Sequence, residues 1–202
     1  MKSFIISNCL SVIKNNNPNY DCEKMEKIEY GLTSIFLMIP KLIILLLVAH
    51  FINLLPEILF FLVIHSIMKS HSYGFHMKSS MWCFLISLIL FLFIPVIAMS
   101  VNINIIIKAV MGLICIPMIY KNCPADTHKR PIINQAKRKK HKLLATIIAF
   151  IYFCLSFLDN NFIANSFLFS LCIQTLATSP VLYFVLKLPH DNYLNERRCH
   201  SD

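Results

Sequence analysis

The stretch SHSYGFHMKSSMWCFLISLILFLFIPVI, residues 70–97, carries two side chains suited to covalent chemistry. His76 stands in a polar lead-in, and Cys83 stands where that lead-in becomes an apolar run. A cysteine attacks as the thiolate, and a neighbouring imidazole can take its proton and later return it to a leaving group. Such a pair supports acyl transfer through a thioester. On one continuous helix, residues at this spacing share a face but stand about 10 Å apart along the axis. A dyad therefore requires a bend, with His76 on a loop that folds back toward the start of the Cys83 helix. Gly74 supplies backbone freedom just before the histidine, and Ser79 or Ser80 can cap the helix that follows. Cys83 then falls in the first helical turn, where the helix dipole favours a thiolate. His71 is a competing base on the far side of Gly74. A histidine and a cysteine at an apolar boundary are also ordinary packing residues, so spacing alone leaves both readings open.

The elements that must position the pair are apolar. Of the 202 residues, 57% are hydrophobic and only 14% are charged, against roughly 45–50% and about 25% in soluble domains. Such a chain has too little polar surface for a soluble fold. Apolar segments run over 32–54, 57–68, 83–100, 103–120, 143–159 and 162–187. Several approach the roughly 17–25 residues that cross a bilayer. The expected fold is all-α: a polytopic integral membrane helical bundle with about six membrane segments, or four plus two shorter or re-entrant ones. Segment 57–68 is the short one, about 18 Å of helix. Asn53 and Pro56 set it off, and it reads as a tilted or half-membrane piece.

The basic residues predict the orientation. Lysines and arginines precede the first segment, lie between the second and third, crowd residues 121–142 and close the chain. The connections at 53–57, 99–104 and 159–162 contain none. Cytoplasmic loops collect Lys and Arg, so both termini and the His76/Cys83 loop are expected in the cytoplasm. The net charge of +9 then reflects topology and attraction to anionic inner-leaflet lipid. Nucleic-acid binding is not expected, because the basic loop has no aromatic stacking pattern. Residues 1–30 lack the long apolar core and small-residue cleavage site of a leader. They read as a cytoplasmic, interfacial amphipathic segment, with a second amphipathic stretch from Glu23 to Ile39. Residues 31–188 form the membrane domain, with a basic loop over 121–142, and 189–202 a cytoplasmic tail. Cys115, Cys154 and Cys172 lie in apolar runs as small hydrophobes. With no C-x-x-C pair and no zinc spacing, neither a disulfide framework nor a metal or other cofactor is expected. His50 and His65 read as bundle residues or the lining of a polar cavity. Lys41, Glu57 and Lys108 are expected to snorkel from segment ends.

Three stretches carry a family resemblance: EKMEKIEYGL, KSHSYGFHMKSSMWC and CPADTHKRPI. With the hydropathy of residues 23–185, they resemble the accessory gene regulator protein B (AgrB) family, membrane cysteine endopeptidases of Gram-positive peptide quorum sensing. The family signature has an arginine, a glycine pair, a histidine followed by alanine, and a cysteine after a six-residue spacer. Here its catalytic pair falls on His76 and Cys83, and its Pro-Ala-Asp segment on Pro124, Ala125 and Asp126. Lys69 stands for the arginine, Tyr73 for the first glycine and Met77 for the alanine. Lysine cannot make arginine's two-pronged carboxylate contact, and losing a glycine narrows the loop's freedom.

The resemblance implies cleavage of the C-terminal part of an AgrD-like propeptide. It also implies transfer of the acyl group to an internal Cys or Ser, giving a thiolactone or lactone autoinducer precursor. The propeptide's acidic tail would dock by charge on the basic loop. Candidate substrate-binding residues are Lys69, Lys78, Asp126, Lys129, Arg130, Lys137, Arg138, Lys139 and Lys140. Asp126 could orient His76 if the two loops meet. The resemblance also favours a homodimer. The competing reading is non-enzymatic: a transporter or scaffold that binds an acidic peptide through its basic loop.

Overall fold

The structure, a computed structural model, describes residues 2–18, 20–74, 80–125 and 134–186. These residues form eight helices, and no strand occurs among them. The chain divides into two units, Met1–Asn53 and Leu54–Asp202.

The first unit holds α1 (Lys2–Asn16) and α2 (Cys22–Phe51), packed on each other. Asp21 caps α2, its carboxylate accepting from the Lys24 amide at 2.8 Å. The amphipathic stretch from Glu23 to Ile39 is not a separate helix but the first half of α2, which runs unbroken through Pro40. An interior proline is tolerated in apolar helices, where local adjustment re-satisfies the freed carbonyl.

The second unit holds α3 (Leu55–Ser72), α4 (Ser80–Ser100), α5 (Ile105–Asn122), α6 (Gln135–Leu155), α7 (Asn161–Thr178) and α8 (Pro180–Val185). Asn53 takes a left-handed φ of 56°, and Pro56 opens the first turn of α3. Proline there loses no helical hydrogen bond. α3 has 18 residues, about 27 Å, and so outruns its short apolar segment. Two of its polar side chains, His65 and Ser72, turn inward, and His65 is buried against the Phe61 and Phe91 rings, with Nδ1 3.3 Å from Ser170 Oγ. The last apolar segment is likewise two helices, because Pro180 ends α7 and Ser179 caps α8.

α7 is the central helix of this unit, in contact with α3, α4, α5 and α6. Its buried residues point all round and are largely small or polar: Ala164, Asn165, Ser166, Ser170, Gln174, Thr175 and Thr178. Small residues allow close approach, and polar ones bond across helices where lipid offers no hydrophobic drive. The outer helices show the opposite pattern. Trp82, Ile89 and Phe93 of α4 and Ile106, Leu113 and Ile114 of α5 are exposed. In water such a surface would aggregate; against lipid it is satisfied. Three helical stretches, Lys24–Phe51, Met81–Ser100 and Ile105–Asn122, are long and apolar enough to cross a membrane. The protein is an all-α membrane helical bundle.

Lys108 departs from expectation. It does not snorkel: it is buried, and Nζ donates to the Ser156 carbonyl at 2.9 Å, where α6 ends. A cation on a helix's last carbonyls is favourable. Glu57 is half-buried, with its Oε2 buried and unpartnered.

Candidate active site

Cys83 is the fourth residue of α4, in its first turn, and half-exposed. The sequence requires this, since the polar run ends in serines and the apolar run begins beyond them. The first four N–H groups of an α-helix have no intrahelical partner, so this turn presents donors and positive potential close to the thiol. Of the other thiols, Cys115 and Cys172 lie in the bundle with Sγ atoms 3.7 Å apart. Cys123 caps α5, where burial pushes its thiol up to about 12 against the opposing effects of a Thr178 hydrogen bond and the Lys142 charge. Cys123 therefore stays protonated and inert at neutral pH.

The segment that leads toward His76 is held at several points. α3 ends at Ser72, and the Tyr73 amide still bonds back to the Lys69 carbonyl at 2.9 Å. Tyr73 then turns with φ 58° and ψ −135°, and Gly74 follows at φ 131°. The first is a conformation that an L side chain adopts only under constraint, at about 1–3 kcal/mol. The constraints are visible. Gln174 of α7, almost fully buried, donates Nε2 to the Tyr73 carbonyl. Tyr73 also forms a parallel bridge with Ala125, whose amide donates to the Ser72 carbonyl at 3.0 Å. The Tyr73 hydroxyl lies 3.4 Å from His141 Nε2, and His141 Nδ1 lies 3.5 Å from His71 Nδ1. Gly74 packs so tightly that an added Cβ would meet the Ala177 carbonyl oxygen at 3.3 Å and Gln174 Nε2 at 3.4 Å.

The two loops named by the sequence thus meet, at Tyr73 and Ala125. Ala125 is one residue short of Asp126, and Gly74 is two residues short of His76. His76, Lys78, Asp126, Lys129 and Arg130 themselves lie outside the described residues, as does Ser79. Lys69 is exposed near the end of α3. His71 is engaged with His141. Asn134 caps α6, accepting from the amides of Ala136 and Lys137, and the basic run opens that helix as expected. Lys137, Lys139 and Lys140 are exposed and Arg138 is half-buried. Cations at a helix N-terminus oppose its dipole, so the run does not serve helix stability. Among the described residues, no three His, Cys, Asp or Glu side chains converge as a metal site would require.

Comparison with known proteins decides the family. The family model described as Accessory gene regulator B matches residues 6–178. The chain belongs to the accessory gene regulator B family. It is similar to Accessory gene regulator protein B of Staphylococcus aureus strain Newman, at 26% identity over 82% of this chain and 87% of that one. It is also similar to a Putative AgrB-like protein of Clostridium acetobutylicum, at 24% identity over 85% and 83% of the two chains. No solved structure matches it significantly. Family membership and the lipid-facing apolar helices agree on a membrane protein of accessory gene regulation, a quorum-sensing system. Two site features escaped the reading of the sequence: Gln174 and the unusual backbone of Tyr73. The available signal for Gln174 was an amide within the run 162–187, shared there with Asn165, because buried polar groups are expensive without a purpose.

Proposed function

We propose that this AgrB-family chain is a cysteine endopeptidase and acyl transferase acting on an AgrD-like propeptide. Cys83 and His76 form its dyad. The Cys83 thiolate attacks the scissile carbonyl carbon, and His76 holds the displaced proton. Collapse of the adduct breaks the C–N bond, the amine leaves with that proton, and a thioester to Cys83 remains. A thiol or hydroxyl inside the peptide then attacks the thioester. Its proton passes to His76, the Cys83 thiolate departs, and a thiolactone or lactone ring closes. Exchange between thioesters is nearly thermoneutral, so water must be kept out or hydrolysis discards the product. A site where α4 enters the membrane provides that exclusion.

The observation that carries the reading is the meeting of Tyr73 with Ala125 on the chain leading to His76, together with the first-turn position of Cys83. The loop that meets it leads to Asp126, a candidate to orient the imidazole. Lys137, Arg138, Lys139 and Lys140, set at the positive end of α6, serve as the dock for an acidic tail. In this reading both termini and the two loops face the cytoplasm and its anionic lipid.

The test is cleavage of an AgrD-like propeptide by Cys83→Ala and His76→Ala in membranes. Each is expected to abolish cleavage with insertion unchanged, and Cys83→Ser to be far weaker than wild type. Cleavage by either alanine variant at near wild-type rate removes the dyad.

A further inference from the structure

The backbone on either side of Gly74 is tied to α7 by one side chain. Gln174 is 1% exposed, and its Nε2 donates to the Tyr73 carbonyl. It also stands against the Gly74 α-carbon face, beside Ala177. A buried glutamine is expensive unless its amide is used. Its amide is used on the carbonyl of a residue in a strained conformation, at the last described turn before His76. Ser72, Tyr73 and Gly74 carry no reacting group in the proposed chemistry, yet the direction in which the chain leaves Gly74 decides where His76 can go. Nothing else on α7 bonds to this turn through a side chain among the described hydrogen bonds.

We infer that Gln174 is a positioning residue for the dyad. By holding the Tyr73 carbonyl, it fixes the exit direction of the chain at Gly74 and so sets the approach of His76 to Cys83. The inference rests on the proposed dyad and extends it to a residue distant in sequence. A hydrogen bond is the operative feature, not the volume of the side chain. Gln174→Met keeps length and flexibility but cannot donate. Gln174→Glu donates only while its carboxyl is protonated, and burial favours that form.

Iodoacetamide alkylation of the full-length protein in lipid vesicles, read residue by residue by mass spectrometry, tests this without substrate. The reagent reports the nucleophilicity of each thiol. Buried Cys115 and Cys123 serve as internal monitors of unfolding. In Gln174→Met the Cys83 rate is expected to fall on the order of 10-fold, since small misplacements carry large rate effects, while Cys115 and Cys123 keep their wild-type rates. An unchanged Cys83 rate overturns the inference. If Cys115 and Cys123 become reactive, the variant has lost its packing, and Gln174→Glu decides. Its Cys83 rate relative to wild type must rise as the pH falls, because protonation restores the donor. A ratio that ignores pH overturns the inference. His76→Ala, run beside them, separates the two levels. If it leaves the Cys83 rate at the wild-type value, the dyad itself fails, and the role of Gln174 with it.

Discussion

Asn165 and Gln174 lie on the same helix, about two and a half turns apart, and each gives its amide to a backbone carbonyl of another element. Asn165 Nδ2 donates to the carbonyls of Ala98 and Val101 at 3.0 and 2.6 Å, closing the end of α4. Gln174 Nε2 donates to the carbonyl of Tyr73, closing the end of α3. Both are buried. The chain held by Asn165 takes a short path to Asn104, which caps α5. Nearby, Lys108 makes a similar closure on Ser156. No cysteine or histidine stands on that turn. The chain held by Gln174 has two successive residues with positive φ and leads toward His76. One device, an amide on a central helix, thus serves two ends with different demands. At one it completes a helix; at the other it maintains a backbone that would not persist alone. Strain of this kind collects where surrounding structure over-determines it, commonly near function.

The largest expected effect breaks the strained end directly. Gly74→Ala puts a side chain at φ 131°, against the Ala177 carbonyl oxygen at 3.3 Å. Either that carbonyl or the turn must move. Propeptide cleavage should fall about 100-fold, the scale of a misplacement of roughly an ångström. Insertion and overall helicity should persist, because α3 already ends before Gly74. Wild-type cleavage by this variant would mean that the turn is indifferent to the chemistry.

Asn165→Ala supplies the contrast. It removes two donations to backbone carbonyls, one buried and one partly buried, while the Oδ1 of Asn165 has no partner to lose. Interhelical bonds in membranes average about 0.6 kcal/mol and reach about 1.7, so a loss of about 1–2 kcal/mol is expected in thermal or denaturant unfolding. The folded fraction should cleave at the wild-type rate. If cleavage falls as far as in Gly74→Ala, the two ends are not functionally distinct.

These two residues also show how far the sequence could be read. The apolar segments, the helical start at Ser80 and the basic opening of α6 follow from periodicity, capping and charge, all of them local properties. The pairing of Tyr73 with Ala125 joins loops that are far apart in sequence, and only the family resemblance suggested that they belong together. Gln174 and Asn165 were hidden by their neighbours, since hydropathy averages a single amide away. Lys108 was misread because a cation near a segment end ordinarily reaches for water, and only the fold brings the Ser156 carbonyl within its reach. By sequence, Tyr73 in place of a glycine predicts a turn with less freedom to bend. The turn retains a glycine-like backbone even so, because bonds from α7 and from Ala125 hold it there.

A smaller effect is expected at the basic start of α6. Neutralising Lys137, Arg138, Lys139 and Lys140 together should raise KM for an acidic propeptide and leave kcat near wild type, the signature of lost uniform binding. Raising the salt should weaken capture by wild type and matter little to the variant, since exposed charges are screened over about 8–10 Å near physiological ionic strength. Membrane orientation must be measured in the same variant, because these charges also direct topology. With orientation intact, an unchanged KM leaves the run as an anchor and returns substrate recognition to the strained end.

The smallest effect sharpens the comparison through pH. The carbonyls that meet Asn165 do not titrate, whereas the Gln174 end carries imidazoles. His141 lies between His71 and the Tyr73 hydroxyl. Desolvation by burial, and then the charges of His71 and Lys140, lower its pKa from 6.5. The folded state therefore favours neutral His141, and the unfolded chain takes up its proton first. The resulting stabilisation is complete above about pH 6.5 and is lost as the pH falls toward the folded value. His141→Gln keeps hydrogen-bonding capacity toward Tyr73 but cannot titrate. Between about pH 7.5 and pH 5.5 the wild-type Tm should drop relative to this variant by only about 1–2 °C, because His141 is only partly buried and solvent screens its charge. The same comparison made in the Asn165→Ala background should give the same difference, since the two ends share no titrating group. A larger drop in that background would show that loosening one end of α7 is felt at the other, and the two amides would then be parts of one coupled element.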